Sequence, residues 1–277
     1  MLRFALNDRP VATTTPRGLA VLDYLREEAG LTGVKHACRE GDCGSCVILL
    51  GQPKRGGFDY RVVTSCLLPL GAIEGHHVVT IEGLNGVEIG PFQQALVDEG
   101  GSQCGFCTPG FVVSFIGFLL SGEGWELDSA IEAVAGTICR CTGYSSIIRA
   151  MGSILAHLGD NVDPAEPRIA ALVREGILPG YFLHANEILN GVQKTPSPKQ
   201  PEPAQVIISG GTDLYVQRPD ELDEVDVFVL PAPPGSPIRL EGEYIHLEAV
   251  ATAEDLKTSS VIAERVGDLL LIASVRQ

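Results

Sequence analysis

Eight cysteines are the residues of this chain whose types and spacing can do chemistry. Three of them lie in Cys38-Arg-Glu-Gly-Asp-Cys43-Gly-Ser-Cys46, and a fourth follows at Cys66. Four thiolates that close on one small object leave an iron–sulfur cluster, a zinc ion or disulfides as the choices. C-x4-C-x2-C with a distant fourth cysteine is the plant-type [2Fe–2S] ligand spacing. Zinc favours a C-x2-C pair matched by a second pair or by histidine, and the nearby His36 is out of step with the cysteines. Gly41 and Gly44 allow the positive-φ turns of a tight loop, and they remove side chains that would keep backbone N–H groups from the sulfurs.

The other four cysteines form two pairs, Cys104-Gly-Phe-Cys107 and Cys139-Arg-Cys141. Each pair precedes an expected helix, where unpaired N–H groups and the positive dipole end favour an anion. Together they make a second four-thiolate set, and all eight cysteines are then used. Arg140, between two of them, would offset cluster charge and so act on its potential. His76 and His77 could pair on a metal, but adjacent histidines before a strand fit a surface position better. Lys54-Arg55 reads as a solvated hairpin tip and Trp125 as packing at the edge of the helices.

Composition bounds what such sites could serve. A chain of 277 residues has room for two or three domains, and 45% hydrophobic content supports real cores. A net charge of −15 argues against nucleic acid or an anionic membrane as partner. No apolar run approaches a membrane span, and the N-terminus has neither signal-peptide anatomy nor twin arginines. Cysteines without an export signal point to a reducing, cytoplasmic setting.

The elements that must position the cysteines fall into three stretches. In 1–82, Leu2–Leu6 and Val11–Thr14 flank a turn, and Gly18–Ala29 reads as a short amphipathic helix stopped by Gly30. Strands are expected at Val47–Leu50, Arg61–Thr64 and Val78–Ile81, which makes a β-grasp, ferredoxin-like domain. In 83–160, helices are expected at Phe92–Asp98, Pro109–Ser121, Asp128–Ala135 with Asp128 as N-cap, and Ser145–Leu158, a four-helix bundle. Residues 161–203 read as a linker, proline-rich between Lys194 and Ala204. In 204–277, strands at Ala204–Ser209, Val227–Leu230 and Tyr244–Ala249 join a capped helix start at Thr252–Lys257 and a mostly helical Ile262–Val275. The fold class is α+β.

With both cysteine sets in view, the chain resembles the iron–sulfur subunit of the molybdenum hydroxylases, the xanthine dehydrogenase family, and within it the small subunit of bacterial members. The runs that carry this are Gly30-Leu-Thr-Gly-Val-Lys-His-Ala-Cys38 through Cys46, Gly101-Ser-Gln-Cys-Gly-Phe-Cys-Thr-Pro-Gly110 and Thr137-Ile-Cys-Arg-Cys-Thr-Gly-Tyr144. They cover about the first 158 residues. The resemblance implies a plant-like [2Fe–2S] cluster on Cys38, Cys43, Cys46 and Cys66. It implies a second one, nearer the molybdenum, on Cys104, Cys107, Cys139 and Cys141, with Gln103 near the pterin. It further implies a molybdopterin-containing large subunit as partner in a hetero-oligomer, with electrons passing through FAD to NAD or another acceptor.

Ile207, Ile208, Ser209, Gly210, Gly211, Thr212, Asp213 and Leu214 resemble the first phosphate-binding loop of that family's FAD-binding domain. Taken alone, a Gly-Gly turn fits a plain hairpin better. The family's flavin domain goes on to a second Gly-Gly-Asn motif, and the sequence ends at Gln277 before one, so a partial FAD-binding domain with weak flavin affinity is expected. The resemblance leaves the hydroxylated substrate open among purines, aldehydes, carbon monoxide and N-heterocycles. A zinc-stabilised interaction module is the rival from a different class.

Overall fold

A computed structural model describes residues 1–54, 57–86, 88–122, 124–191, 201, 205–231 and 235–266. Leu2, Phe4 and Leu6 turn inward from β1 (Leu2–Leu6), which pairs antiparallel with β2 (Arg9–Thr13) across a turn at Asn7 and Asp8. A single sheet takes the order β2-β1-β5-β3-β4, with β3 at Val47–Lys54, β4 at Gly57–Thr64 and β5 at His77–Val79. β5 runs parallel to β1 and antiparallel to β3, so the sheet is mixed, as a β-grasp requires.

Several boundaries differ from the sequence expectation. The first helix does not start at Gly18, because Ala20 is extended and bridges Pro69. Instead α1 (Val21–Asp23) widens at once into a π-turn, Tyr24–Glu28. The β3–β4 hairpin is longer than expected: Gly51, Gln52 and Pro53 pair with Tyr60, Asp59 and Phe58. The Tyr60 ring lies over Gly51, where a Cβ would come within 2.6 Å of it, and glycine is what lets the strand continue there. The hairpin tip, with Arg55, lies outside the described residues.

Both faces of the sheet are buried. Ile48 on β3, with Cys46 just before the strand, faces one core while Val47 and Leu49 face another, the alternation of a strand. The first core holds α1 and its π-turn. The second holds the helices: α2 (Pro91–Asp98), α3 (Thr108–Ser121), α4 (Leu127–Val134) and α5 (Ser145–Asn161). α3 is apolar all round, as a helix enclosed on every side must be, and Gly117 brings it against Val62 and Leu49. α4 begins before Asp128: Glu126 takes the N-cap position without a side-chain cap, and Asp128 lies in the first turn.

The stretch 161–203 is not the linker expected. It holds α6 (Arg168–Arg174), a 3-10 turn at Gly180–His184 and α7 (Ala185–Asn190), and it buries Leu172, Ile177, Leu178, Phe182 and Leu189 in the helical core. The Arg168 guanidinium lies 3.7 Å from the centre of the Trp125 ring and ties this strap to the α3–α4 connection. Of the proline-rich stretch, Pro196, Pro198 and Pro203 lie outside the described residues.

Next, β6 (Val206–Ile208) and β7 (Val227–Val229) form a parallel pair joined through α8 (Thr212–Gln217) and α9 (Pro219–Leu222). This unit seats on the first sheet's layer through Gly18, whose N–H donates to the Val225 oxygen and whose carbonyl accepts from the Tyr215 hydroxyl. Any Cβ at Gly18 would collide with the Leu222 and Val225 oxygens. The hairpin of β8 (Ile238–Glu241) and β9 (Tyr244–Leu247) precedes α10 (Ala253–Thr258), which has the expected cap in a Thr252–Asp255 capping box. α11 (Ser260–Val266) covers the start of the last expected helix, whose remainder lies outside the described residues. No helix among the described residues is long and apolar enough to cross a membrane.

His77 is not a surface residue. It is fully buried against the rings of Phe58, Tyr60, Tyr181 and Phe182, and so joins the sheet to the 161–191 strap. Its Nε2 lies 2.8 Å from the Asn7 carbonyl oxygen, which can only accept, so Nε2 carries the proton and Nδ1 accepts from the Tyr60 hydroxyl at 2.7 Å. Burial lowers its pKa to about 4, against the pull of the Asn7 carbonyl. The unfolded chain therefore takes up a proton near pH 6.5 that the folded chain refuses. Stability is full above pH 6.5 and falls as pH drops towards 4, by up to about 3 kcal/mol. In denaturant titrations across this window, His77→Gln should lose most of that acid slope while being less stable than the parent at pH 7.5.

Candidate metal centres

The first cysteine loop runs from the π-turn into β3, and its fourth member, Cys66, sits in the 3-10 turn Ser65–Leu67 directly after β4. The hairpin register therefore fixes two of the four sulfurs, since Val47 is paired with Thr64. Ser65 locks them closer: its hydroxyl and its N–H both donate to the Cys46 carbonyl, at 2.6 and 3.2 Å. At the other end of the loop, Arg39, Gly41 and Gly44 all take positive φ. Arg39 can hold that conformation because its guanidinium is anchored by an ion pair with the buried Asp23 and by a 3.0 Å bond to His36 Nε2. The Glu40 N–H points at Cys38 Sγ, 3.4 Å away, and Cys43 Sγ lies 3.3 Å from the Ser45 hydroxyl.

The second set is made by two loops. Cys107 caps α3, with Pro109 in its first turn, and Cys104 precedes it. Cys139 and Cys141 precede α5, whose N-cap is Tyr144 at φ +68. From there the Tyr144 hydroxyl accepts the Cys139 N–H at 3.0 Å, and its ring packs on Phe111 of α3. The Thr142 hydroxyl lies 3.2 Å from Cys139 Sγ, and Gln103 Nε2 donates to the Cys141 carbonyl at 3.3 Å. Sequence reasoning singled out Gln103 but missed Tyr144 and Thr142. Both stand within the Cys139–Tyr144 run, where hydroxyls one and three residues after Cys141 are the signal.

All eight cysteines are free, and their sulfurs meet in pairs. Cys104 and Cys141 are 3.7 Å apart, close to the separation of about 3.8 Å for two thiolates on one tetrahedral metal. Cys107 is paired with Cys139: burial and the shared proton push Cys107 up to about 12. Burial opposes ionisation of Cys139, yet the Thr142 hydroxyl, nearby N–H groups and the Cys107 thiol bring it down to about 7. In the first loop the Cys66 thiol donates to Cys46, which falls to about 6 despite its burial, while Cys66 itself is raised. Cys43, hydrogen-bonded by Ser45 and Cys38, is lowered although burial opposes it. The thiolate is thus favoured at Cys43 and Cys46 in the first loop and at Cys139 in the second set. Among the described residues no three metal-binding side chains converge on a point as one mononuclear ion would require. A two-iron, two-sulfide group, which takes two thiolates on each iron, fits a donor set arranged in thiol pairs.

The Gly-Gly stretch lies beside the first loop. Ile207 is exposed and Ile208 buried at the end of β6. The Ser209 hydroxyl donates to the Ala249 carbonyl, Gly210 and Gly211 are left-handed, and Thr212, Asp213 and Leu214 open α8. Thr212, Asp213 and Val216 share a cavity of about 390 Å3 with Glu40, Gly41, Asp42, Thr64 and Leu67.

Comparison with known proteins follows this division. Residues 4–69 match the 2Fe-2S iron-sulfur cluster binding domain, and residues 80–152 match the [2Fe-2S] binding domain. Over 148 residues the chain is 45% identical to xanthine dehydrogenase 2 of Arabidopsis thaliana, a span of 50% of this chain and 11% of that protein. The chain therefore matches only about a tenth of such relatives' length. Among solved structures, a chain of quinoline 2-oxidoreductase from Pseudomonas putida 86 is 31% identical with a TM-score of 0.50, over 64% of this chain and 97% of that one. The aldehyde oxidoreductase of Desulfovibrio gigas is 30% identical with a TM-score of 0.51, over 62% of this chain and 18% of that protein.

Tyr144 holds the Cys139 loop from one hydroxyl. Tyr144→Phe should cost about 1 kcal/mol of stability and speed loss of iron to a chelator from one of two kinetic classes, leaving the other unchanged.

Proposed function

This chain belongs to the iron–sulfur part of the molybdenum hydroxylases, the family of xanthine dehydrogenase, and from that premise we propose that it is an electron-transfer subunit of such an enzyme. The observation that supports this reading is that the eight cysteines are free, with Cys46 and Cys66 in the core on one side of the sheet and Cys107 and Cys139 in the core on the other. Cys38, Cys43, Cys46 and Cys66 would hold one [2Fe–2S] cluster, and Cys104, Cys107, Cys139 and Cys141 the other. Bound there, each cluster takes up and gives back one electron at a time. The chain's own residues orient the sulfurs, donate N–H groups towards them, and exclude water from Cys46, Cys66, Cys107 and Cys139, which are all buried.

Exposure gives the two sets different neighbours. Cys104 and Cys141 are exposed, amid exposed Phe106, Ile138 and Tyr144 and close to Gln103. A partner chain carrying molybdopterin and the substrate pocket would dock on this apolar rim, which accords with electrons entering at this set. They would leave from the first set, towards a flavin and then NAD or another acceptor. The names of the relatives divide among xanthine, quinoline and aldehyde, so the substrate class follows the partner chain.

The Ser209–Leu214 loop is the candidate for FAD phosphates. Glu40, Asp42 and Asp213 are among the residues lining its cavity, and among the described residues the lining includes no Lys, Arg or aromatic side chain. The ordering cost of a dinucleotide then has little burial to offset it. Acid release of flavin from the purified chain should yield far less than one FAD for each two clusters. Stoichiometric FAD would refute this weak-binding reading.

Cluster content tests the main reading. Reduced protein should contain about four irons and show two separable paramagnetic signals. Cys43→Ser should abolish one signal and Cys107→Ser the other. One common signal lost in both variants, or zinc without iron, would overturn the ligand sets. The isolated chain should hydroxylate no purine, aldehyde or N-heterocycle until a molybdenum-bearing partner is added.

A further inference from the structure

Ser146 lies in the first turn of α5, a short way after Cys141. It is 8% exposed, and among the described residues its Oγ is the one buried side-chain oxygen or nitrogen without a hydrogen-bond partner. Other helical hydroxyls behave differently. Those of Ser121, Ser153 and Thr258 donate to a carbonyl one turn back, at Phe118, Ala150 and Glu254. Other buried polar side chains are bonded too: Asp23 to Arg39, Thr80 to Asn7 and Glu82, Ser114 to Thr137. Ser45 and Ser65 serve the first cysteine loop, at Cys43 Sγ and at the Cys46 carbonyl. A hydroxyl shut away from water with nothing to bond costs the fold stability, so a buried orphan calls for a partner.

The position of Ser146 says where that partner lies. Side chains on an α-helix lean towards its N-terminus and cover the turn before their own. For a residue in the first turn of α5, that ground is the Cys139–Tyr144 loop. Much of the loop is already engaged. The Thr142 hydroxyl accepts the Tyr144 N–H, the Tyr144 hydroxyl accepts the Cys139 N–H, and the Cys141 carbonyl accepts from Gln103. Sulfur remains as the acceptor, at the head of a 17-residue helix whose dipole favours negative charge there.

We infer that the Ser146 hydroxyl donates a hydrogen bond to a sulfur of the cluster on Cys104, Cys107, Cys139 and Cys141, and that this bond raises the potential of that cluster. This rests on the ligand set proposed above. Reduction brings one electron and no proton; the sulfurs become better acceptors, and the hydroxyl keeps its hydrogen. A donor that bonds the reduced form more strongly than the oxidised form stabilises it and raises the potential. The set nearer the apolar rim is thereby made the readier electron acceptor.

The test compares the iron-loaded full chain with Ser146→Ala and Ser146→Thr. Iron content is read first, then the midpoint of each paramagnetic signal by redox titration. The exchangeable protons coupled to each signal are read by electron–nuclear double resonance in ordinary and heavy water. Cys43→Ser and Cys107→Ser assign the signals to their sets. Ser146→Ala should keep its iron and its first midpoint. At the second set its reduced-to-oxidised ratio at a fixed potential should fall about tenfold, which is ~59 mV for one electron. One exchangeable coupling should vanish from that signal alone. Ser146→Thr, which keeps a hydroxyl, should restore both. An unmoved second midpoint in iron-replete Ser146→Ala would overturn the inference and leave a buried water as the partner of the hydroxyl. The same fall in both variants would also overturn it, because packing and not the hydroxyl would then set the potential. A parent chain without iron would strike the ligand set, and this inference with it.

Discussion

Everything in the first 191 residues depends on one sheet being buried on both faces. A two-residue period along β3 and the residue before it sends Cys46 and Ile48 to one side and Val47 and Leu49 to the other. One face thereby carries the first cysteine loop, and the other receives α3 with Cys107 at its head. No linker separates two freely moving modules, because the same backbone is the floor of both cores. That matters for electron transfer, where separation and orientation must not vary. The strap of α6 and α7 reinforces the arrangement by closing over β5 at His77, with the Tyr181 hydroxyl bonded to the Gly83 carbonyl at 2.9 Å.

Left-handed backbone recurs wherever sulfur must be approached. Arg39, Gly41, Gly44, Gly105, Gly143 and Tyr144 all have positive φ, and all lie in or beside the cysteine loops. Two of them are not glycine, and each is held by its own side chain: Arg39 through Asp23 and His36, Tyr144 through Cys139 and Phe111. The unfavourable conformation is over-determined by local bonds, as strain at a binding loop has to be. The thiol pairs already poised before any metal is added follow from the same rigidity.

The cysteine loops and the long helices were legible in the sequence because ligand spacing and a sustained apolar helix are strong local signals. What was not legible was decided by distant partners. Gly18–Ala20 has helical company in Leu19 and Leu22, yet Gly18 is claimed by the Leu222–Val225 turn two hundred residues later and Ala20 by Pro69. α6 and α7 are each short, and Pro167, Gly176, Pro179 and Gly180 punctuate the stretch like a linker. The burial of Leu172, Phe182 and Leu189 makes helices of it. Glycine and proline in the β3–β4 hairpin suggested a loop, whereas the Tyr60 ring needs Gly51 inside a strand. The adjacent histidines suggested the surface, and no local pattern foretold that His77 would meet four aromatic rings from two distant segments. The flavin-like loop was legible as strand, Gly-Gly turn and helix start, but its acidic neighbours come from Glu40 and Asp42, which only the fold brings alongside.

The sulfur pairs also fall into an order through the molecule. Cys104 and Cys141 stand at the surface, and Cys107 and Cys139 behind them. The Ile138–Cys43 contact then crosses to the first loop. Within that loop, Cys46 and Cys66 are buried beside Leu67, and Leu67 with Gly41 walls the cavity shared with Thr212 and Asp213. One end of this sequence lies at an apolar rim and the other beside an acidic cavity, while Cys38, Cys43 and Ile138 between them are partly exposed. Surfaces of such unlike chemistry favour different partners at the two ends. The charge of −15 adds to this selectivity, because acceptors that approach the acidic end must bring a compensating positive surface.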